Sequence, residues 1–138
     1  MILLAGSNPA LLEGLADALN RSRLPVVVAA TIDDADELLR RHNCAVAVVE
    51  RTLLHGGGSL GFLQVARSIG CTLVTFREDS GEAARLQALP PEGARIVMAD
   101  LELPLERTRL VALVEYVSSR ARAVARPEGQ NRPGTSAP

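Results

Sequence analysis

Several groups of residues in this chain have types and spacings that chemistry can use. Gly6-Ser7-Asn8 stands just before a stretch of helical period, where backbone N–H groups at a helix start can hold an anion. Glu50 closes an apolar run, so it puts a carboxylate where a buried strand leaves its sheet. His55-Gly56-Gly57-Gly58 is the kind of loop whose backbone N–H groups stabilise a developing oxyanion. Asp33, Asp34, Asp36 and Glu37 bring four carboxylates together, as a cation site would. Arg120, Arg122 and Arg126 could touch an acidic surface.

Each of these has a plainer explanation. Asn8 followed by Pro9 is an N-cap with proline at the first helical position. The segment is not a G-x-G-x-x-G fingerprint and has no Walker lysine. Acids at a helix N-terminus are stabilised by the helix dipole, which accounts for Asp33 to Glu37 as a solvated first turn. The glycines after His55 read as a flexible loop. His42 and His55 are the only imidazoles, and His42 falls at a helix end, so a paired base for acyl transfer is lacking. Arginines on the frayed end of a last helix serve solubility.

Composition narrows the functional classes. The 138 residues suit one domain, and a domain of this size buries roughly two-thirds of its unfolded surface. Apolar residues are 47% but aromatics only 2%, so Leu, Val, Ile and Ala must build the core and no stacking platform for single strands exists. The formal net charge is −1; nothing here neutralises a phosphate backbone, and nucleic acid is not an expected partner. All 15 basic residues are Arg. Without Lys there is no Schiff base and no lysine phosphate clamp. Cys44 and Cys71 each open an apolar run and read as small buried hydrophobes; two isolated cysteines make neither a disulfide framework nor a zinc site. No run is long enough to span a membrane, and the start lacks a signal-peptide n-region and cleavage site, so the expected compartment is the cytoplasm. No metal or other cofactor is expected.

The elements that must position these residues alternate along the chain. Apolar runs at Ile2–Ala5, Val26–Ala30, Cys44–Val49, Cys71–Phe76 and Arg95–Ala99 read as five strands. Helical periods run from Pro9 to about Asn20, from Thr31 to His42, from Ser59 to a C′ glycine at Gly70, from Ser80 to Leu89, and from Pro104 onward. Arg51 to Gly58 reads as a loop. Residues 1–126 form the domain, and the Pro, Gly, Ser and Thr-rich stretch 127–138 is expected to be a disordered tail. Strands separated by helices pair in parallel with right-handed crossovers, and their wholly apolar character fits a sheet covered on both faces. The fold expected is α/β, a doubly wound, five-stranded parallel sheet. Its ligands would bind at the carboxyl ends of the strands, on the loops after Ala5, Val49, Phe76 and Ala99.

Ile2-Leu3-Leu4-Ala5-Gly6-Ser7-Asn8-Pro9-Ala10-Leu11-Leu12, then Val26-Val27-Val28, Ala35 with Leu38-Leu39, and Ala45-Val46-Ala47-Val48-Val49-Glu50 resemble the bacterial response-regulator receiver (CheY-like) domain. The resemblance covers about residues 1 to 120 and implies a flavodoxin-like strand order 2-1-3-4-5. Receivers carry an acidic pair after the first strand, an Asp nucleophile after the third, a Thr or Ser ending the fourth, and a Lys ending the fifth with Pro directly behind it. Three carboxylates hold Mg²⁺ against an aspartyl phosphate and Lys balances its charge.

Matched residue by residue, the acidic pair falls on Gly6 and Ser7 and the nucleophile on Glu50. The hydroxyl falls on Thr75, or on Phe76 if the register moves by one. The Lys is unmatched, and Asp100-Leu101-Glu102-Leu103 intervenes between the expected fifth strand and Pro104. The resemblance therefore implies a pseudo-receiver whose degenerate phosphorylation-site positions are Gly6, Ser7, Glu50 and Thr75, at least three of the usual five being unfit, with no catalytic residue and no bound metal. Such a module acts through a protein partner. The surface implied is that of the Ser80–Leu89 helix, the fifth strand and the last helix, and a homodimer is a further option. Glu50 would be either a fixed stand-in for a phosphorylated state or a polar strand end beside Arg51; the second is preferred because the other switch parts are missing. The alternatives are a small-ligand binder or enzyme on the Gly6–Asn8 and His55–Ser59 loops, and an atypical receiver that uses Glu50.

Overall fold

The computed structural model describes residues 1–78 and 97–125. Five strands, β1 (Ile2–Ala5), β2 (Val26–Ala29), β3 (Val46–Glu50), β4 (Thr72–Arg77) and β5 (Val97–Glu102), form one sheet in the order β2-β1-β3-β4-β5. Every neighbouring pair is parallel. The described helices are α1 (Pro9–Arg21), α2 (Ile32–His42), α3 (Ser59–Ser68) and α4 (Arg107–Ala125), with a 3-10 helix at Arg51–His55. The expected Ser80–Leu89 helix and the 127–138 tail lie outside the described residues.

The apolar runs become strands because both of their faces are buried. Ile2, Leu4, Val46, Val48, Val74 and Phe76 point to one side and pack against Leu12, Leu15 and Leu19 of α1 and Leu110, Val114 and Val117 of α4. Leu3, Ala5, Ala47, Val49 and Leu73 point to the other, against Ile32, Ala35 and Leu39 of α2 and Phe62, Leu63 and Ala66 of α3. Side chains alternate along a strand, so only continuous apolar runs satisfy two such faces at once.

Local chemistry sets the helix ends. Asn8 Oδ1 accepts from the Ala10 and Leu11 N–H groups, at 3.1 and 3.3 Å. Thr31 Oγ1 accepts from the Asp34 N–H at 3.1 Å. Gly70 takes the left-handed conformation, φ 74°. There its N–H bonds the Arg67 carbonyl and the Cys71 N–H bonds the Ala66 carbonyl, a Schellman closure that feeds the chain into β4.

Three boundaries depart from the sequence reading. Arg51–His55, read as loop, is a 3-10 turn held by buried Leu54. The fifth strand, read as Arg95–Ala99, runs on to Glu102, and the Leu103 N–H still bonds the Arg77 carbonyl at 2.8 Å. The last helix starts at Arg107 rather than at Pro104. Glu106 accepts the Glu102 N–H at 2.8 Å, which holds its carboxyl below the ordinary range and fastens the turn between strand and helix.

Cys44 and Cys71 are free and buried. Burial pushes the Cys71 thiol up to about 12, with a smaller push from Cys44. The native state therefore keeps the proton that the unfolded chain releases near pH 9. This stabilisation is complete below pH 9 and is lost as pH rises toward 12, at up to about 1.4 kcal/mol per pH unit. Urea unfolding from pH 8 to 11 is expected to show that loss, and Cys71→Ala is expected to flatten it. Native thiols should resist iodoacetamide at pH 8 and react fully in urea.

Candidate functional site

The parallel strands bring the residues after β1 and at the ends of β3, β4 and β5 to one edge of the sheet. Gly6 and Ser7 leave β1 next to Glu50, the last residue of β3. Glu50 is 9% exposed, and its Oε1 accepts from both the Ser7 N–H, at 2.7 Å, and the Ser7 hydroxyl, at 2.8 Å. Both donors come from one residue and meet one oxygen. A hydrogen bond to an ionised acceptor is about twice as strong as a neutral one, so this link joins the two strand ends firmly.

Gly6 is shaped by what surrounds it. A Cβ there would lie 3.1 Å from Phe76 Cζ and 3.4 Å from Glu50 Oε1. The Phe76 ring, itself 1% exposed, fills the space that a side chain at position 6 would need. A carboxylate at Gly6 would thus require the ring to move.

Thr75 is not part of this group. The β3–β4 ladder pairs Thr75 with Val49 and Phe76 with Glu50, so the residue beside Glu50 is a phenyl ring. Thr75 projects to the opposite face, where its hydroxyl donates to Asp100 Oδ1 at 2.7 Å. Asp100 Oδ2 accepts from Arg77 Nη1 at 2.6 Å and from Arg51 Nη1 at 2.9 Å. These side chains are 14% to 24% exposed. One carboxylate therefore ties together the 3-10 turn, β4 and β5.

Asp100 and Arg77 were not singled out by the sequence. The sequence places Asp100 beyond the fifth strand, whereas Asp100 lies in it because two guanidiniums and a hydroxyl compensate its charge. The correction removes the gap before Pro104. Leu103 now directly follows the strand and precedes Pro104, where the resemblance puts Lys, and it is fully buried.

The remaining candidates stay apart. Asn8 caps α1 and donates from Nδ2 to Glu78 at 2.7 Å. Asp36 and Glu37 pair with Arg40 and Arg41 one turn along α2. Among the described residues no group of His, Cys, Asp and Glu is placed to hold a metal. Gly57-Gly58-Ser59-Leu60-Gly61 has the G-x-S-x-G spacing of a nucleophile elbow, which the sequence reading missed. That elbow needs a strand-to-helix turn; here a 3-10 helix precedes it, and no hydrogen bond joins Ser59 to either histidine among the described residues. Arg120 bonds the Tyr116 hydroxyl; Arg126 lies outside the described residues.

No protein-family model matches the sequence, and no curated protein matches it. Solved structures do. The N-terminal domain of a response regulator/sensory box/GGDEF three-domain protein from Carboxydothermus hydrogenoformans superposes with a TM-score of 0.69 at 15% identity, over 88% of this chain and 96% of that one. A CheY-like response regulator receiver domain protein from Methanospirillum hungatei gives 0.67 at 13%, over 88% and 96%. The non-phosphorylated HemR receiver domain from Leptospira biflexa gives 0.63 at 21%, over 84% and 91%. The fold is that of response-regulator receiver domains, with the order β2-β1-β3-β4-β5.

Asp100→Ala would leave two guanidiniums part-buried without their shared carboxylate. Such a loss falls between that of an exposed ion pair and that of a buried one, about 2–4 kcal/mol. Thr75→Val, which deletes one hydrogen bond, is expected to cost about 1 kcal/mol. Denaturant unfolding of the two variants should reproduce that order.

Proposed function

We propose that this chain is a non-catalytic, receiver-like interaction module of bacterial signalling, a pseudo-receiver that works without phosphorylation of an aspartate. The receiver fold supports a signalling role. The observation that supports the loss of phosphoryl chemistry best is the state of Glu50. The carboxylate at the nucleophile position is already occupied by two Ser7 donors on one oxygen. Those donors come from a position where the resemblance expects an acid to hold Mg²⁺.

The other site positions point the same way. Gly6 carries no carboxylate, Phe76 rather than a hydroxyl stands beside Glu50, and Leu103 stands where a Lys would balance phosphate charge. A nucleophile misplaced by about 1 Å costs on the order of a hundredfold in rate, and a developing phosphate charge without a cation adds to that. The module is then read by a protein partner rather than switched by a phosphodonor. Its partner surface would include β5 and α4, and self-association of two copies is the competing occupant of that surface. The described residues contain no helix long and apolar enough to cross a membrane. The cytoplasm is the compartment proposed, with neither nucleic acid nor membrane as partner.

Intact-mass spectrometry after incubation with acetyl phosphate and Mg²⁺ tests the reading. The expected result is no added phosphoryl group. An adduct that disappears in Glu50→Gln would show a working switch and sink the proposal. Titration with millimolar Mg²⁺, followed by amide shifts, should give no saturable change at Gly6 or Glu50.

A further inference from the structure

The opposite end of the sheet carries a feature that the receiver-like edge does not explain. A groove of about 830 Å³ runs below the amino ends of β1, β4 and β5 and along the last turns of α4. Its volume falls within the range of small-molecule sites, roughly 300–1,000 Å³. The chain has two Met and one Tyr, and all three line this groove, as Met1, Met98 and Tyr116. They are exposed, at 40%, 52% and 55%. Flexible thioether side chains adapt to irregular apolar ligands, and Tyr offers an apolar body with a polar tip.

A cation at its rim gives the groove direction, beside a hydroxyl sealed behind its wall. Ser118 is 6% exposed and lines the groove, yet its Oγ has no hydrogen-bond partner among the described residues. A buried hydroxyl without a partner is destabilising. Among the described lining residues Arg120 is the one charged side chain, and none is Asp or Glu. Its Nη1 donates to the Tyr116 hydroxyl at 3.1 Å and its guanidinium lies 5.8 Å from the ring centroid. The cation is thereby held at the rim by the aromatic residue that forms the wall.

We propose that this groove binds a small amphipathic carboxylate, with the apolar body against Met1, Met98 and Tyr116 and the head group on Arg120. The charge pattern selects the sign of the ligand, since a guanidinium with no acid among the described lining residues favours an anion and a planar carboxylate matches its fork. The site is separate from Glu50 and stands whether or not the chain takes up a phosphoryl group.

Decanoate, kept below its micelle concentration, is the probe. Tyr116 is the sole tyrosine and the chain has no Trp, so intrinsic fluorescence reports on this groove alone. Labelled methionine methyl groups give two further NMR reporters in it. Saturable changes in both are expected. Arg120→Gln should weaken binding about tenfold, the loss of one charge-assisted contact. Met98→Glu, at an exposed position, should abolish it. Ser118→Ala should leave binding unchanged, because its Oγ is sealed from the groove, and leave the thermal midpoint unchanged or raised, because it removes an unpaired buried hydroxyl. The proposal is overturned if neither reporter responds saturably. It is also overturned if decyltrimethylammonium binds as tightly as decanoate, or if Arg120→Gln leaves the affinity unchanged.

Discussion

A parallel sheet with helices on both faces leaves its central strands no polar position along their length. β1 and β3 are buried at every residue, and β4 is buried from Leu73 to Phe76. The consequence is that polar chemistry is pushed to the strand ends. Glu50 sits at the last residue of β3, Ser7 just beyond β1, and Arg77 at the last residue of β4. Thr75 is the polar side chain tolerated deeper in β4, and it is tolerated because Asp100 accepts its hydroxyl.

Two static links occupy the edge that results. Ser7 with Glu50 joins the ends of β1 and β3. Asp100 with Thr75, Arg77 and Arg51 joins the 3-10 turn, β4 and β5. The links lie on opposite faces of the sheet, because Glu50 and Thr75 differ by one register position in the ladder. In each, a carboxylate is compensated by donors from the chain itself, a neutral pair in the first and two guanidiniums in the second. Both arrangements hold the loops in place without help from an added group, which is the physical basis of the proposed constitutive module. Phe76 and Leu103 are buried at the same edge and extend the core packing to it.

Much of the fold was legible in the residues because its determinants are local. Runs such as Ile2–Ala5 and Val46–Val49 have no polar face, so they could become only doubly covered strands. Asn8, Thr31 and Gly70 set helix ends through hydrogen bonds and dihedral angles that reach at most a few residues. The buried state of Cys44 and Cys71 followed from the apolar runs they open. The positions that the resemblance assigns to Gly6, Ser7 and Glu50 follow from the spacing of the first three strands.

The tertiary structure decided what depends on residues far apart in the chain. The Ser7–Glu50 contact spans 43 positions, and the Arg51–Asp100 bond spans 49. No local pattern announces either, because the energy that selects them appears only when the strands lie side by side. The length of β5 is the plainest case. Asp100 and Glu102 argue against a strand by composition, and they belong to one because Arg51 and Arg77 neutralise Asp100 and because an edge strand leaves one side of its ladder open. The sequence alone determined which segments must be buried and where they turn. Which carboxylate meets which donor, and which face Thr75 serves, was determined by sheet register, which is fixed by packing across the whole sheet and not by any single stretch of chain.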